Sequence, residues 1–590
     1  MKTLCSIAFL STFFLAAYAQ SPKPDTLYLH GDILTGAHLR ASDASNTPAR
    51  VTAIAVANGR IIAVGSDADV LKLKSGSTKV VDLNGAFAMP GFNDAHTHIA
   101  GAGQQHFTVD LTGSKSLEEM QSRIRVYVGL PETEAGPTSW IKGGGWDHTL
   151  WAGKKLPTRY DLDAVTGKHP AVFERVDGHI LVANSAALAA AGITAATPSP
   201  AGGQIDHDAT GEPTGILRED SAMALVYDKI PAPSNEVRRR ALEFSIAEAL
   251  AHGVTSIQDF SEWGDFLVLE EMEHQHKLHV RVSEWLAFDT PLEVLKERRA
   301  SHDANDPLLH LGMLKAFMDG SLGSRTAAME DPYADDPGNS GLLRFEDQAK
   351  LNAMSAERAT AGFQLGFHAI GDRANEVALD AFNAAEQVAR APGQRPGPKD
   401  PDAAIVTEVE ETPEPAQLRF RIEHAQVVEA ADFDRFAKLG VIASMQPSHL
   451  LTDMNWAAAR LGPERAPLSY TWKSFLDHKV TLAFGTDYPV ESISPFRGLY
   501  AAVTRQNEAG TQIYQPQEKI SINEALYAYT QASAFAEFRE KEKGRLEPGF
   551  LADMVVLDRD PTKAAPQDLL HTKVLRTIVN GETVFDAGVK

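Results

Sequence analysis

Between residues 87 and 487, short apolar segments alternate with amphipathic helical stretches, and that alternation restricts the chain to a parallel α/β fold. Eight candidate strands can be counted, at residues 87–98, 254–259, 279–287, 311–319, 364–370, 419–425, 441–446 and 481–487. Eight such units predict a (β/α)8 barrel, a fold that carries its active site at the C-terminal ends of its strands.

The two ends of the chain have a different texture. Thr26-Leu-Tyr-Leu-His30, Ala53-Ile-Ala-Val56, Ile61-Ile-Ala-Val64 and Lys79-Val-Val-Asp-Leu83 read as short strands. Asp553-Met-Val-Val-Leu557, Val574-Leu-Arg-Thr-Ile-Val579 and Thr583-Val-Phe585 do the same, with a turn at Asn580-Gly581. The expectation is a small β-sandwich built from residues 20–87 and 540–590, flanking a barrel of residues 88–539. Roughly 150 residues separate the first two barrel strands, far more than one βα unit needs. Residues 110–233 are therefore expected to form an insertion, a lid or subdomain over the barrel mouth. Residues 391–415, rich in Pro, Gly and acidic side chains, are expected to be an exposed loop without a catalytic role.

At the extreme N-terminus, Lys2 precedes an apolar run from Leu4 to Ala17, and Ala17-Tyr18-Ala19 has the form of a cleavage site. Residues 1–19 are expected to be a signal peptide, an uncleaved anchor being the alternative, so the mature protein would be periplasmic or secreted. Cys5, the single cysteine of the 590 residues, falls inside this leader, so disulfides are not expected. A formal net charge of -22 argues against nucleic acid and anionic membranes as partners. A small-molecule substrate is expected, with no membrane association after leader removal; a homo-oligomer is left open.

Residues able to do chemistry cluster at the candidate strand ends. In Phe92-Asn-Asp-Ala-His-Thr-His98, the two histidines are spaced to share one face of a strand and one metal ion. Lys315 stands in the apolar run Leu311-Gly-Met-Leu-Lys-Ala-Phe-Met-Asp319, where a cation is costly unless paired or modified. Its plain explanation is a salt bridge inside the barrel with Asp319; the chemical one is carboxylation to a carbamate. His368, His424 and Asp487 end three later strands. Each alone is explained as a polar strand terminus or, for Asp487, a helix cap. Together they put His-x-His, Lys, His, His and Asp on the first, fourth, fifth, sixth and eighth candidate strands.

That order resembles the amidohydrolase superfamily of metal-dependent hydrolases. The details are similar to its amidohydrolase-3 branch, which includes N-substituted formamide deformylase-like and YtcJ-like proteins. The stretches that carry the resemblance are Pro90-Gly-Phe-Asn-Asp-Ala-His-Thr-His98, Asp177-Gly-His-Ile-Leu-Val-Ala-Asn-Ser185, Gly215-Ile-Leu-Arg-Glu219, Lys315-Ala-Phe-Met-Asp-Gly-Ser-Leu-Gly-Ser-Arg-Thr326, His368-Ala-Ile-Gly-Asp372, Arg421-Ile-Glu-His424, Gly485-Thr-Asp-Tyr-Pro-Val490 and Gly544-Arg-Leu-Glu-Pro-Gly-Phe-Leu-Ala-Asp553. The resemblance implies one or two divalent ions, with zinc suited to imidazole and carboxylate donors. It assigns His96, His98 and Asp487 to one ion and His368 and His424 to a second, with carboxylated Lys315 between them. It further implies water activated by metal, with Asp487 as general base and then general acid.

His179 in the insertion is a candidate for holding a developing oxyanion, or else a packing or surface histidine. Trp146, Asp319, Arg325 and Asp453 are candidate substrate-pocket residues. Glu423, next to His424 on its strand, is expected to face away from the site. The function expected is hydrolysis of an amide-type C–N bond. Ester, carbamate or cyclic-amide hydrolysis on the same centre is one alternative, and a non-catalytic binding protein is another. A carbohydrate-active barrel would place paired carboxylates, not histidines, at its strand ends.

Overall fold

The computed structural model describes residues 22–40, 48–129, 139–176, 178–200, 203–389 and 418–588. The expected leader at 1–19 and the expected loop at 391–415 lie outside the described residues. Eight parallel strands lie in sequence order in one sheet: Phe92–Thr97, Val254–Phe260, Arg281–Ala287, Leu309–Phe317, Leu365–Ala369, Arg421–His424, Ile442–Met445 and Leu482–Phe484. A parallel bridge between Thr97 and Tyr488 joins the first strand to the segment after the last. The backbone N–H of Asp487 donates to the His96 carbonyl at 2.8 Å across the same seam. Helices connect the strands, and the whole is a (β/α)8 barrel.

The connecting helices form because their apolar residues repeat at helical spacing and bury one face. Asp432–Leu439 illustrates this: Phe433 and Phe436, three residues apart, are buried, and both meet the ring of Phe475. The helix stops at Gly440, whose φ of 64° is left-handed.

The first candidate strand is in fact two. Phe87–Pro90 pairs antiparallel with Met554–Leu557 and parallel with Asp32–Leu34 in a separate sheet. Phe92–Thr97 then enters the barrel beside Val254–Phe260. Gly91 makes the transfer possible, since a Cβ there would lie 2.2 Å from Thr255 Oγ1.

The sheet containing Phe87–Pro90 has six strands, and a second sheet of four strands packs on it. Tyr28, Ile54, Val56 and Ile61 of the smaller sheet share a core with Ile33, Ala88, Met554, Val556 and Ile578 of the larger. Both chain ends therefore contribute to this layer. The hairpin expected at Asn580-Gly581 is present, and both residues take positive φ, 54° and 73°. This layer is tied to the barrel by Arg281, whose guanidinium is fully buried and contacts both oxygens of Asp553, at 2.5 and 2.8 Å.

The insertion carries its own six-stranded sheet, in the order Gln204–His207, Pro213–Arg218, Ile180–Ala183, Ala171–Arg175, Ile141–Trp146, Val109–Asp110. Alternate residues face opposite sides. Phe173, Val182 and Ile216 pack on Met120, Ile124, Leu162 and Val165 of two helices, while Val172, Leu181 and Leu217 pack on Leu188, Met223 and Val226 of two others. Among the described residues, no helix is long and apolar enough to cross a membrane.

Candidate metal centre

His96 ends the first barrel strand with its side chain buried, and its Nδ1 lies 2.8 Å from Glu423 Oε2. A carboxylate can only accept, so Nδ1 carries the proton and Nε2 keeps its lone pair. Glu423 is in turn held by Arg421, whose Nε lies 2.8 Å from Oε1. The Arg421 guanidinium also donates to the Ala95 carbonyl at 2.7 Å and Ser444 Oγ at 2.9 Å. Burial would push the Glu423 carboxyl up, but Arg421 beside it and the His96 bond hold it down at about 2. Burial, with Lys315 adding to it, pushes the His96 imidazolium down to about 3, which favours the neutral ring.

This corrects the expectation for Glu423. Arg421 and Glu423 face the barrel interior, and in a regular strand His424 would join Ile422 on the outer face. His424 reaches the barrel mouth because its backbone turns left-handed, with φ 76°.

His98 stands just past the strand, at the start of the helix Ile99–His106. Its Nδ1 lies 3.0 Å from the Phe260 carbonyl, so its Nε2 is the nitrogen turned toward Asp487 Oδ1, at 3.2 Å. Asp259 braces the residues on either side: its Oδ1 accepts from Thr97 Oγ1 and from Ile99 N, both at 2.8 Å. Asp487 follows the last strand at a φ of 59°, with Oδ1 also 3.6 Å from His96 Nε2 and Oδ2 3.5 Å from His449 Nε2. Burial opposes ionisation of Asp487, but His96 and the bond to His98 keep its carboxyl well below the usual range. His96, His98 and Asp487 each offer one donor atom, all within 4.8 Å of one another.

Lys315 projects into this cluster from the fourth strand, with Nζ 3.3 Å from His96 Nε2. It stands near the rings of Phe317 and Trp285, at 5.0 and 5.5 Å. Burial, reinforced by Arg421, pushes its amine down to about 8 against the pull of Glu423 and Asp487. The salt bridge with Asp319 that would explain Lys315 plainly is not formed. Asp319 instead accepts from the backbone of Ala328, Ile370 and Gly371, at 2.9, 3.1 and 2.8 Å. It also lies 3.3 Å from His368 Nε2, which is 3.0 Å from the Gly320 carbonyl. The His368 and His424 rings are 4.5 Å apart, and His424 Nδ1 is held by Gln446 Oε1 at 2.8 Å. Burial and the neighbouring His368 push the His424 imidazolium well below its ordinary range.

The strand ends thus bring together His96, His98, Lys315, His368, His424 and Asp487. They also bring in His449, which sequence reasoning passes over. It lies beyond the seventh strand in Met445-Gln-Pro-Ser-His449, and its signal is a histidine within a few residues of a strand end, like the others. His424, His449 and Asp487 form a second group whose donor atoms lie within 4.8 Å of one another.

The remaining candidates are placed differently. Trp146 is fully buried in the core of the insertion and donates its indole N–H to the Phe173 carbonyl at 2.9 Å, so it packs a core and does not line a pocket. Gly143-Gly144-Gly145-Trp146 ends a strand, and the indole lies on the face packed against the insertion's helices. His179 is exposed on the insertion, 3.0 Å from Glu219. Arg325 is engaged by both oxygens of Asp335, each at 3.0 Å. Asp453 accepts from the Tyr470 hydroxyl at 2.7 Å, and burial raises its carboxyl.

Residues 79–585 match the family profile described as "Amidohydrolase family". Protein LONG AFTER FAR-RED 3 of Arabidopsis thaliana is 35% identical over 544 residues, covering 90% of this chain and 88% of that protein. N-substituted formamide deformylase of Arthrobacter pascens is 27% identical over 573 residues, covering 93% of this chain and 97% of that protein. Among solved structures, an uncharacterized metal-dependent hydrolase from Pyrococcus furiosus matches with a TM-score of 0.72 at 30% identity, over 91% of this chain and 100% of that chain.

Proposed function

The chain belongs to the amidohydrolase family and is a metal-dependent hydrolase; from that premise we propose that it cleaves an amide-type C–N bond of a small molecule. The observation that carries the proposal is the shared orientation of three site histidines. His96, His98 and His424 each tie Nδ1 to a protein oxygen, from Glu423, Phe260 and Gln446. Each thereby turns Nε2 into the site, as metal-binding imidazoles are commonly prepared.

The donor set fits a divalent cation. Two imidazole nitrogens and a carboxylate oxygen converge within 4.8 Å, a chemistry that suits zinc. The buried Nε2 of His449 has no hydrogen-bond partner, which is costly for a polar atom unless something else engages it. His96, His98 and Asp487 would hold one ion, and His424 would contribute to a second. Such an ion, when bound, acidifies water toward neutrality and polarises a carbonyl.

The protein's own groups supply the rest. Asp487, kept ionised by its histidine neighbours, takes the proton of the attacking water and returns it to the leaving nitrogen. Lys315 would serve as an anionic oxygen donor between the two ion positions after its neutral amine adds carbon dioxide, giving a carbamate and releasing one proton. The amine's depressed pKa supports that step, because only the unprotonated form reacts. The amide assignment is supported by the N-substituted formamide deformylase relative, whose name states its bond class. The Lys2-led apolar leader supports export, and hence a periplasmic or secreted site of action.

The test is a panel of N-substituted formamides, N-acyl amino acids and cyclic amides beside matched esters and carbamates, with released amine or alcohol measured. Amine release that disappears on chelation and returns with zinc is the expected result. Hydrolysis confined to esters, or none anywhere in the panel, would overturn the proposal.

A further inference from the structure

The Arg421 guanidinium that holds Glu423 is itself buried, which is costly unless each of its nitrogens finds an acceptor. Nε stands 2.8 Å from Glu423 Oε1. Nη2 donates to the Ala95 carbonyl and to Ser444 Oγ, and reaches Glu423 Oε2 at 3.3 Å. Nη1 donates to Oε1 of Gln258, on the second strand. Among the described residues, this is the one hydrogen bond that Nη1 makes.

Gln258 is fully buried, and its partners dictate which way its amide points. A guanidinium only donates and the Ser533 carbonyl only accepts, so Oε1 faces Arg421 and Nε2 faces that carbonyl, at 2.8 Å. Nε2 also donates to Asn93 Oδ1 at 3.3 Å. Asn93 in turn donates to Glu537 Oε1 at 2.6 Å. The Lys543 ammonium stands 2.6 Å from the same oxygen and donates to Ser256 Oγ at 2.8 Å. Buried contacts thus run without a break from Glu537 through Asn93, Gln258, Arg421 and Glu423 to His96. The residue type at 258 fits its place. A carboxylate there would compete with Glu423 for the cation between them. An amide completes the Arg421 hydrogen bonds and leaves the guanidinium charge to Glu423.

We propose that Gln258 is a positioning residue of the metal centre. It fixes the Arg421 guanidinium, Arg421 fixes the Glu423 carboxylate, and Glu423 selects Nε2 as the nitrogen that His96 offers to an ion. Gln258 touches neither substrate nor ion, and it acts only through the two residues between it and His96. The proposal deepens the metallohydrolase reading above and rests on it for the presence of an ion, but not for which bond is cleaved.

The experiment is a double-mutant cycle on the full-length purified protein, with zinc affinity measured against a competing chelator. Gln258→Leu removes the amide, and Gln258→Asn shortens it by one methylene as a milder variant should Gln258→Leu fail to fold. Either should weaken zinc binding by about threefold or more, and by less than Glu423→Gln, for which ~10–100-fold is the usual scale. In a Glu423→Gln background the same change at 258 should cost less than about twofold. Sites that act through one network are not additive, whereas independent sites are. A second readout needs no metal. In metal-free protein carrying isotope-labelled histidine, the His96 Nδ1–H resonance is the one absent from His96→Asn, and it reports the bond to Glu423 directly. It should shift or vanish in the Gln258 variants. A folded Gln258 variant with wild-type zinc affinity and an unmoved resonance would overturn the proposal. So would a loss of affinity that is as large in the Glu423→Gln background as in wild type, since Gln258 would then act by supporting the fold alone. A wild type that binds no zinc, with the resonance still moved by Gln258→Leu, would sink the metallohydrolase reading and keep the link from Gln258 to His96.

Discussion

Glu423 reaches across the barrel from the sixth strand to His96 on the first, accepting its Nδ1 proton at 2.8 Å. This one bond decides which nitrogen of His96 looks toward Asp487. Glu423→Gln keeps the shape but removes the charge that Arg421 and His96 both face. Apparent metal affinity should fall roughly 10–100-fold, as expected when the partner of a ligating histidine is lost. Titration against a competing chelator measures it, and wild-type affinity would show that His96 is oriented by other means.

Lys315 should be replaceable by an external anion. Lys315→Ala is expected to lose hydrolysis and to recover part of it with added formate or acetate, which can lie between the ion positions. Lys315→Arg should stay inactive, because a guanidinium does not take up carbon dioxide. A fully active Lys315→Arg enzyme excludes the carbamate. Turnover with and without added carboxylate is the measurement.

Asp487→Asn retains shape and one oxygen donor but removes the proposed base. Fold and substrate affinity should persist, while turnover falls by ~10²–10⁴-fold, the usual scale of general acid–base catalysis. Metal content must be determined on the same sample. Near-normal turnover with metal retained would mean that the proton passes through another group.

The contact between barrel and terminal layer can be tested without any substrate. Asp553→Ala strands the fully buried guanidinium of Arg281, and breaking a buried ion pair in this way costs about 3–5 kcal/mol. Denaturant unfolding should register a loss of that size. A change below ~0.5 kcal/mol, ordinary for a surface substitution, would mean that other contacts hold the two layers together.

Much of this architecture is legible in the sequence because barrel strands are buried on both faces and stand out as short apolar runs. A polar residue ending such a run, as His368 does after Leu365-Gly-Phe367, is conspicuous. What escapes is whatever depends on local departures from regular geometry. Phe87 to Thr97 looks like one strand, because nothing in its apolar pattern marks the change of partners at Gly91. Glu423 looks outward-facing, because alternation carries no sign of the left-handed turn at His424. His449 opens a five-residue helix just past a strand, too short for either period to show. Trp146, a candidate pocket residue by sequence, ends a strand that contains three glycines, and its indole fills a core.

The seam between Thr97 and Tyr488 bears on the order in which the molecule is made. His96 and His98 leave the ribosome ahead of Asp487 by roughly 20–80 s, at synthesis rates of ~5–20 residues per second. Until Asp487 follows, the proposed donor set of His96, His98 and Asp487 is incomplete and the barrel has an open edge. On the proposed assignment, ion capture comes late in maturation and does not serve as the nucleus around which the nascent chain organises. Phe87–Pro90 waits longer still, since its antiparallel neighbour Met554–Leu557 is produced after every barrel strand. An unpaired strand edge of this kind invites pairing with other chains, so the interval before Met554–Leu557 emerges is when this strand is most exposed to misassembly.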